Sequence, residues 1–398
     1  MSGPLEGIRV IDCSIWLQGP MAGCVLGDLG AEVIKIEERG RGDQMRGLLG
    51  VFYNDQRNVQ FETVNRNKRG IALDLRKQEG RGIVHKLVEK SDVFLHNFRS
   101  QAAERLGISY ETLSSLNPRL VYAQATAWGP EGPDSEKSGL DRAAVARAGL
   151  MYFTEDKPEP QSSIPIAVCD MAGGQCLALS TLAALQARER TGRGQMVSTS
   201  LLGSLIALST WVMTYSLGYG VEHPRPSRME IRNPLHNSYK CADGEWIYLT
   251  MMQAEKYWPP LCEATGIKEL ENDPRFDNIR AMEEHSGELT LILDRVFAAK
   301  PRAEWMRILA KRDLSCAPIQ KPLDLVNDPQ VIANDYIVEY DHPTYGRQKV
   351  VGFPYTFSET PASLRRPCPE LGQHTEEVLL ELGYTWSDIA GFKEREVI

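Results

Sequence analysis

The chain has 398 residues, of which 42% are hydrophobic and 25% are charged, and its formal net charge at pH 7 is −8. This composition is typical of a globular protein of about two domains, and the negative charge argues against a nucleic-acid partner. No uninterrupted apolar run approaches the roughly 20 residues of a membrane span, and the first residues lack the basic and then apolar layout of a signal peptide.

Strand and helix patterns alternate over the first part of the chain. The strands are rich in β-branched residues and are expected at 7–12, 32–37, 71–75, 93–97 and 120–127. Helices are predicted between them, at 20–29, 79–90, 101–106 and 110–116. This order predicts an α/β domain that is Rossmann-like, with a parallel sheet and right-handed crossovers. The turn after the first strand lacks G-x-G-x-x-G, which disfavours a dinucleotide dehydrogenase.

The pattern of predicted strands and helices changes after a Pro-rich linker at 222–228. Before the linker we expect helices at 141–151, 170–190 and 201–217 and a strand at 195–200. After it, a hairpin at 239–249 with a two-residue Asp-Gly turn precedes helices at 254–265, 286–299 and 302–312. Asp328 is expected to cap a further helix, and a hairpin near 342–347 and one short amphipathic helix complete the chain. These patterns predict a large domain at 1–220, completed by 326–398, and a small α+β domain at 228–325.

Asp170 lies where an apolar, extended run at 164–169 passes into a long Ala/Leu helix, and Gly173 and Gly174 follow it. One interpretation is that Asp170 is an N-cap that accepts a hydrogen bond from a free helix N–H group. The other is that Asp170 is a carboxylate nucleophile, with the glycines allowing a substrate to approach the backbone and N–H groups holding an oxyanion. The motif by itself leaves both open.

Several other chemistries have no motif in this sequence. H-E-x-x-H, the P-loop and G-x-S-x-G are all missing. The eight cysteines are scattered without C-x-x-C spacing, which predicts reduced thiols in a cytoplasmic protein. No metal site is expected.

A series of short motifs resembles the class III CoA-transferase family, of the formyl-CoA transferase type. The motifs are Pro4-Leu-Glu-Gly-Ile-Arg-Val-Ile-Asp, Gly19-Pro, Leu29-Gly-Ala-Glu-Val-Ile-Lys-Ile-Glu, Asn67-Lys-Arg, Asp92-Val, Asn97-Phe, Asn117-Pro-Arg-Leu-Val-Tyr-Ala, Thr191-Gly-Arg-Gly-Gln and Leu371-Gly-Gln-His-Thr. Each motif is weak alone, but together and in this order they are specific. The resemblance covers nearly the whole chain.

The resemblance implies a nucleophilic aspartate at Asp170 and a site for coenzyme A (CoA) or acyl-CoA as substrate, without a tightly bound cofactor. Gln18 and the backbone near Gly173 and Gly174 would stabilise the oxyanion. The residues implied to bind CoA are Leu17, Arg39, Leu73, Asn97, Phe98, Arg105 and Lys137. Glu38 is an alternative to Arg39 as the residue that meets the nucleotide.

The resemblance further implies an interlocked-ring homodimer and CoA transfer between a thioester and a small carboxylic acid. The glycine-rich loop of formyl-CoA transferase is replaced here by residues 251–254, Met-Met-Gln-Ala, which favours a bulkier and more apolar acyl group. Trp16, Met151, Tyr152 and Met251 could line an acyl pocket, although large apolar residues are more often core.

Two other functions compete with CoA transfer. An acyl-CoA racemase of the same fold needs an acid/base pair, and the resembling enzymes use a histidine where this chain has Leu140; none of the seven histidines falls in that segment. A CoA-binding protein without catalysis is the other possibility. It would bind acyl-CoA without forming a covalent intermediate at Asp170.

Overall fold

The computed structural model describes residues 3–47, 58–153 and 167–398. Its largest sheet has six parallel strands in the order β3-β2-β1-β4-β5-β6. The strands are β1 Arg9–Asp12, β2 Glu32–Glu38, β3 Lys68–Leu73, β4 Val93–His96, β5 Val121–Thr126 and β6 Met196–Ser200. This order is that of a Rossmann sheet, so the predicted parallel α/β fold is confirmed. The expected extended residues 164–166 lie outside the described part of the chain.

Helices cover both faces of this sheet. The helices of this part of the chain are, in order, α1 Gln18–Asp28, α2 Val59–Asn65, α3 Gln78–Glu89, α4 Ser100–Arg105, α5 Tyr110–Leu116, α6 Asp141–Arg147, α7 Val168–Thr191, α8 Leu201–Leu208 and α9 Thr210–Tyr219. Residues of α1 and α7 share one apolar cluster with Val10, whereas α3, α4 and α5 share another with Ile11. Successive strand residues therefore face opposite layers, which explains why the central strands are apolar almost throughout.

Helix α7 is long and apolar enough, by length and composition alone, to cross a membrane, and α8 and α9 together also pass this test. In the fold, however, Leu177, Ala178 and Leu185 of α7 are buried in the cluster formed with α1 and the sheet. A core helix has the same composition as a spanning one. The packing of α7 therefore explains its apolar sequence.

A second compact unit contains Glu222–Asn334, and the first contains the described residues up to Val221 together with Asp335–Ile398. The second unit has a three-stranded antiparallel sheet of β7 Ser238–Lys240, β8 Trp246–Leu249 and β9 Cys316–Ile319. Its helices are α10 Ala254–Thr265, α11 Ile279–Glu284, α12 Ser286–Phe297, α13 Arg302–Ala310 and α14 Pro329–Ala333. Its core is rich in aromatic side chains, among them Trp258, Phe276 and Trp305.

The last part of the chain returns to the first unit. It contains the hairpin β10 Ile337–His342 and β11 Gly346–Val351 and the helices α15 Thr375–Glu381 and α16 Trp386–Glu394. Val378, Ile389 and Val397 are buried in the same cluster as α3. The division falls at 334/335, whereas the sequence placed the return at 326.

Four local predictions differ from the structure. The helix expected at 201–217 is two helices, which meet at Ser209 with a bend of 77°. The turn of the β7–β8 hairpin has three residues rather than two, since the Cys241 N–H bonds to the Glu245 carbonyl, and Gly244 has a φ of +81°. Strand β9 was not predicted. The expected single helix at the end of the chain is α15 followed by α16. The cap at Asp328 is confirmed.

Candidate active site

A cavity of about 930 Å³ opens at the carboxyl ends of β1, β4 and β5. Its walls are the residues that follow β1 and β4, the last residues of β5, and the first turns of α6 and α7. The strand order reverses between β1 and β4, and ligands of open α/β sheets bind at such a switch point. The cavity therefore lies where this fold places a ligand.

Asp170 is the third residue of α7 and lines the cavity. The N-cap residue of this helix is Ala167, whose side chain cannot accept a hydrogen bond. Instead Asp141, the first residue of α6, accepts from the N–H groups of Cys169 (2.7 Å) and Asp170 (3.1 Å) through its Oδ2 atom. The interpretation of Asp170 as the N-cap is therefore wrong. The helix end is satisfied by another carboxylate, and that of Asp170 is not required for capping.

Burial raises the pKa of Asp170 from its ordinary value of 3.8 to about 7, and the charge of Asp141 adds to this rise. The backbone N–H of Gln18 acts in the opposite direction, because it favours the ionised form. Both protonation states of Asp170 are therefore populated near neutral pH. A strongly perturbed carboxyl group in a cleft, beside a second charged group, is typical of a catalytic residue.

Side chains hold the backbone of the loop that joins β1 to α1. Asn97 accepts from the Ile15 N–H (2.9 Å) and donates to the Ile15 carbonyl (2.6 Å). Asp43 accepts from the Trp16 N–H (3.1 Å), and Trp16 has a φ of +65°. In place of the glycines of a dinucleotide-binding turn, this loop is fixed by polar side chains from neighbouring segments.

Gln18 begins α1, lines the cavity and is 4% exposed. Its Nε2 atom is buried and has no hydrogen-bond partner among the residues that the structure describes. A Cβ atom on Gly173 would lie 2.6 Å from this nitrogen, and one on Gly174 would lie 2.8 Å from the Gln18 carbonyl oxygen. The two glycines therefore allow α1 to pack closely against α7.

The oxyanion role expected of the backbone near Gly173 and Gly174 gains no support from the helix geometry and stays a prediction. Both residues lie in the second turn of α7, where N–H groups donate to carbonyls four residues earlier. Neither residue lines the cavity. Of the groups expected to stabilise an oxyanion, the amide of Gln18 is the one that the fold leaves with an unused donor.

Comparison with known proteins assigns the family. The model of CoA-transferase family III matches residues 5–375. The chain belongs to CoA-transferase family III. The (R)-2-hydroxy-4-methylpentanoate CoA-transferase of Clostridioides difficile is 35% identical to it over 399 residues, which cover 99% of each chain. The succinyl-CoA:glutarate CoA-transferase of Mus musculus is 32% identical and covers 95% of this chain and 86% of its own.

A solved structure agrees with this assignment. The crystal structure of a CAIB/BAIF family protein from Brucella suis superimposes with a TM-score of 0.86 at 29% identity, covering 96% of this chain and all of the other. The family resemblance read from the sequence is therefore confirmed, and the protein is a CoA-transferase.

Five of the residues expected to bind CoA in this CoA-transferase line the cavity that contains Asp170. They are Leu17, Asn97, Phe98, Arg105 and Lys137. Lys137 forms an ion pair with Asp134 at 2.5 Å. These five residues come from three separate stretches of sequence, and the fold brings them to one site.

Two expected residues lie elsewhere. Leu73 is buried in the apolar cluster of α3. The Nε atom of Arg39 donates to the Ile398 carbonyl at 2.8 Å, and Arg39 forms an ion pair with Glu396 at 3.5 Å. Neither residue lines the cavity, and neither does the alternative Glu38. Leu73 and Arg39 thus lie outside this cavity, and a CoA contact by either residue stays a prediction.

Asp141 and Arg99 are among the cavity residues that sequence reasoning did not assign to the site. Asp141 contacts α7 across 29 positions of the chain, and its only sequence signal is an acidic residue at the start of a predicted helix. Arg99 lines the cavity next to Phe98, so a basic residue directly after a strand could have indicated it.

The apolar residues suggested for an acyl pocket lie in different parts of the structure. Trp16 lines the cavity, whereas Met151 and Tyr152 do not. Met251 is fully buried in the core of the second unit, and Met252 beside it is exposed. Among the described residues, no group of three His, Cys, Asp or Glu side chains is arranged to hold a metal ion.

Proposed function

We propose that this CoA-transferase moves CoA from an acyl-CoA thioester to a free carboxylic acid, with Asp170 as the nucleophile. The observation that supports the proposal is that two neighbouring carboxylates have different roles. Asp141 caps α7, and Asp170 faces the cavity with a pKa raised to about 7. Its ionised form is thus a less solvated and more reactive oxygen nucleophile than an exposed aspartate.

In the first half of the reaction, an Asp170 carboxylate oxygen forms a bond to the thioester carbonyl carbon. The carbon–sulfur bond breaks, and its electron pair leaves with the CoA thiolate, which gives a mixed anhydride. The thiolate then attacks the side-chain carbonyl of Asp170 and releases the donor acid as a carboxylate. Asp170 now carries CoA as a thioester.

The second half is the same chemistry in reverse with the acceptor. The acceptor carboxylate attacks the aspartyl thioester and releases thiolate, and the thiolate attacks the acceptor side of the new anhydride. This regenerates Asp170 and forms the new acyl-CoA. No proton and no ATP is consumed overall, because a thioester and a carboxylate are exchanged for another such pair.

Each attack builds negative charge on a carbonyl oxygen, either that of the acyl group or that of Asp170 itself. The unused Nε2 donor of Gln18 packs against Gly173, three residues after Asp170 on α7, and as a donor in a buried site it would stabilise such an oxyanion strongly. Arg99 and Arg105 line the same cavity. They supply charge-assisted contacts to the phosphates of CoA.

Transfer is better supported than racemisation. Among the cavity-lining residues that the structure describes there is no histidine. Leu140 lines the cavity at the position where the racemase needs its base. The buried His96 has its pKa lowered to about 3 by burial, so it is neutral.

Trapping tests the covalent step directly. The protein is mixed with acyl-CoA and hydroxylamine, and mass spectrometry of the digest should show a hydroxamate at Asp170. Asp170→Asn should give no adduct and lower exchange at least about 10³-fold, while CoA binding stays within about threefold. Asp277→Asn, an exposed aspartate of the second unit, is the matched control. Full turnover by Asp170→Asn, or an unmodified wild-type protein, would contradict the mechanism.

For the acyl group we propose an acid with an apolar side chain. Ile15, Trp16, Ala127, Leu140 and Leu201 line the cavity, and the relative from Clostridioides difficile is named for a branched-chain hydroxy acid. Exchange assays with paired acceptors decide this: 4-methylpentanoate or its 2-hydroxy derivative should give a higher kcat/KM than glutarate. Preference for glutarate would favour the substrates named for the mouse relative.

We also propose that two copies form an interlocked homodimer in the cytoplasm. Helix α9 has no buried residue, although Trp211, Leu217 and Tyr219 on it are large and apolar, and exposed apolar side chains concentrated on one element favour an interface there. All eight cysteines are free thiols, as expected in a reducing compartment. Light scattering should give twice the mass of the chain. A monomeric wild-type protein would contradict the dimer.

A further inference from the structure

We propose that Asp43 is a positioning residue for acyl transfer, which holds Trp16 in the left-handed conformation so that Gln18 faces Asp170. This inference rests on the proposed function of Asp170. It assigns a role in catalysis to a side chain that does not touch the reacting atoms.

Asp43 is 1% exposed, and both of its oxygens are occupied. Oδ1 accepts from the N–H groups of Trp16 (3.1 Å) and Met45 (3.0 Å). Oδ2 accepts from the Nζ atom of Lys35 at 3.1 Å. Trp16 and Met45 both line the cavity, so one buried carboxylate connects two of its walls.

Trp16 needs such a restraint. Its φ of +65° lies in the left-handed region, which is unfavourable for a residue with a large side chain. A strained backbone persists only where surrounding contacts impose it. Leu17 and Gln18 follow directly, so the direction in which α1 leaves the sheet depends on this one torsion angle.

The other contacts of the loop act on different residues. Asn97 binds both backbone groups of Ile15, and Asp12 accepts from the Ser14 N–H at 3.0 Å. The N–H of Trp16 itself is held by Asp43. The carboxylate of Asp43 therefore acts on the residue whose conformation is strained.

Asp43 is itself firmly fixed. The backbone N–H of Asp43 donates to the Glu37 carboxylate at 2.9 Å. Arg46 also donates to the Glu37 carboxylate, through two nitrogens at 2.7 Å each. Lys35, its ion-pair partner, also donates to the Ser14 carbonyl at 2.9 Å. The restraint on Trp16 is thus connected to β2 through buried charges.

The test separates the hydrogen-bond acceptor from the buried charge. Lys35→Met removes the ammonium group, so that residue 43 can lose its charge without leaving an unpaired ion. In this background, Asp43→Asn keeps an oxygen for the Trp16 N–H, whereas Asp43→Leu has a similar shape and no acceptor. The measured quantities are kcat, KM for acyl-CoA and the thermal melting of each variant.

We expect the Asn variant to keep kcat within about threefold of the Lys35→Met protein. The Leu variant should lose at least 20-fold in kcat, with KM changed by less than about threefold. Equal kcat values for the two variants would overturn the proposal. If neither double variant folds, Asp43→Asn and Asp43→Leu are compared in the otherwise unchanged chain, where the Leu variant should have a kcat at least fivefold below that of the Asn variant, and equal values would again overturn the proposal.

A second comparison shows whether residue 16 transmits the effect. Glycine adopts positive φ without strain, so in a Trp16→Gly background the ratio of kcat between the two residue-43 variants should fall below three, whatever Trp16→Gly does by itself. An unchanged ratio would mean that the effect of Asp43 on kcat does not pass through the conformation of residue 16, which would overturn the proposal. Hydroxylamine trapping on the wild-type protein is run in parallel. Failure there rejects the proposed function, whereas normal trapping with unresponsive Asp43 variants rejects this inference alone.

Discussion

The two compact units bury different kinds of side chain. In the first unit, Asp12, Lys35 and Lys68 are fully buried, and Glu37 and Asp43 nearly so. In Glu222–Asn334, the described residues include no buried Asp, Glu, Lys, Arg or His. The interior is filled by rings such as Phe297, which is tilted against Tyr239 and packs edge-to-face with Trp305. The unit that carries Asp170 thus has charged groups inside it, whereas the other is stabilised by apolar packing.

This difference follows from what each unit has to fix. Aromatic packing contributes stability without directing individual backbone groups. A buried carboxylate stabilises little in total, because desolvation offsets its ion pair, but it accepts hydrogen bonds from chosen N–H groups. The charged interior of the first unit therefore determines where the loops around the cavity lie.

The largest stability effect is expected from breaking a buried pair on one side. Lys68 donates to Asp12 at 2.7 Å, and both are fully buried. Lys68→Met should lower the free energy of unfolding by about 3–5 kcal/mol, because Asp12 keeps an uncompensated charge. Lys68→Met with Asp12→Leu should recover at least half of this loss in urea unfolding. A double variant as unstable as the single one would contradict the comparison.

The next effect concerns the pH dependence of stability at the site. The pKa of Asp170 is raised to about 7 by burial and then by Asp141, so its ionisation opposes folding. The stability that this group contributes is fully present below pH 3.8 and is lost as the pH rises through about 7.

Asp170→Asn should therefore match the wild type in stability near pH 4 and exceed it above pH 8. The separation between about 7 and 3.8 corresponds to roughly 4 kcal/mol as an upper bound. Urea unfolding from pH 4 to 8.5 measures the difference, with Asp277→Asn as the control. If the difference in stability between the two proteins did not change with pH, the pKa of Asp170 would not be raised by folding.

A smaller effect is expected in the aromatic core of the second unit. Phe297→Leu keeps an apolar residue but removes the ring that packs on Tyr239 and Trp305. The free energy of unfolding should fall by about 1–2 kcal/mol. The kcat of the variant should stay within about twofold of the wild type. A large loss of kcat would contradict the view that packing in the second unit contributes stability only.

The smallest effect is expected where the second unit does use a polar side chain to hold backbone. Asn278 is exposed and accepts from the Ala281 N–H at 3.0 Å at the start of α11. Asn278→Ala should destabilise by about 1 kcal/mol, as measured by thermal melting. A loss as large as that of Lys68→Met would show that burial is not what distinguishes the two sets of polar contacts.

The sequence predicted the elements of the sheet well because their signals are local. The alternation of strand and helix patterns and the β-branched residues predicted all six strands to within a few residues. The largest displacement is that of β3, because the strand begins with the two basic residues Lys68 and Arg69. Strand β9 was missed because Cys316-Ala-Pro-Ile is short and contains a proline, which its pairing on one side only permits. The break at Ser209 has no glycine or proline to indicate it.

The site was predicted where a family motif covers it and missed where contacts are distant. Asp170, Gln18 and Asn97 were named from motifs, and the cavity contains all three. Whether Asp170 caps its helix depended on Asp141, which is 29 positions away, and no local pattern carries that information. Leu73 and Arg39 were implied by the family resemblance; the sequence did not show that Leu73 is buried in an apolar cluster or that Arg39 donates to the Ile398 carbonyl.

The return of the chain to the first unit also governs the order in which a nascent chain can fold. Val397 is fully buried in the same cluster as Ile11, and its carbonyl accepts from the Asp74 N–H at 2.8 Å. During synthesis, the interior of the first unit thus stays incomplete until residue 397 has left the ribosome. Residues 222–334 emerge earlier as a compact unit. Ribosome-bound chains should therefore contain a folded segment at 222–334, while the two parts of the first unit on either side of it have not yet packed together.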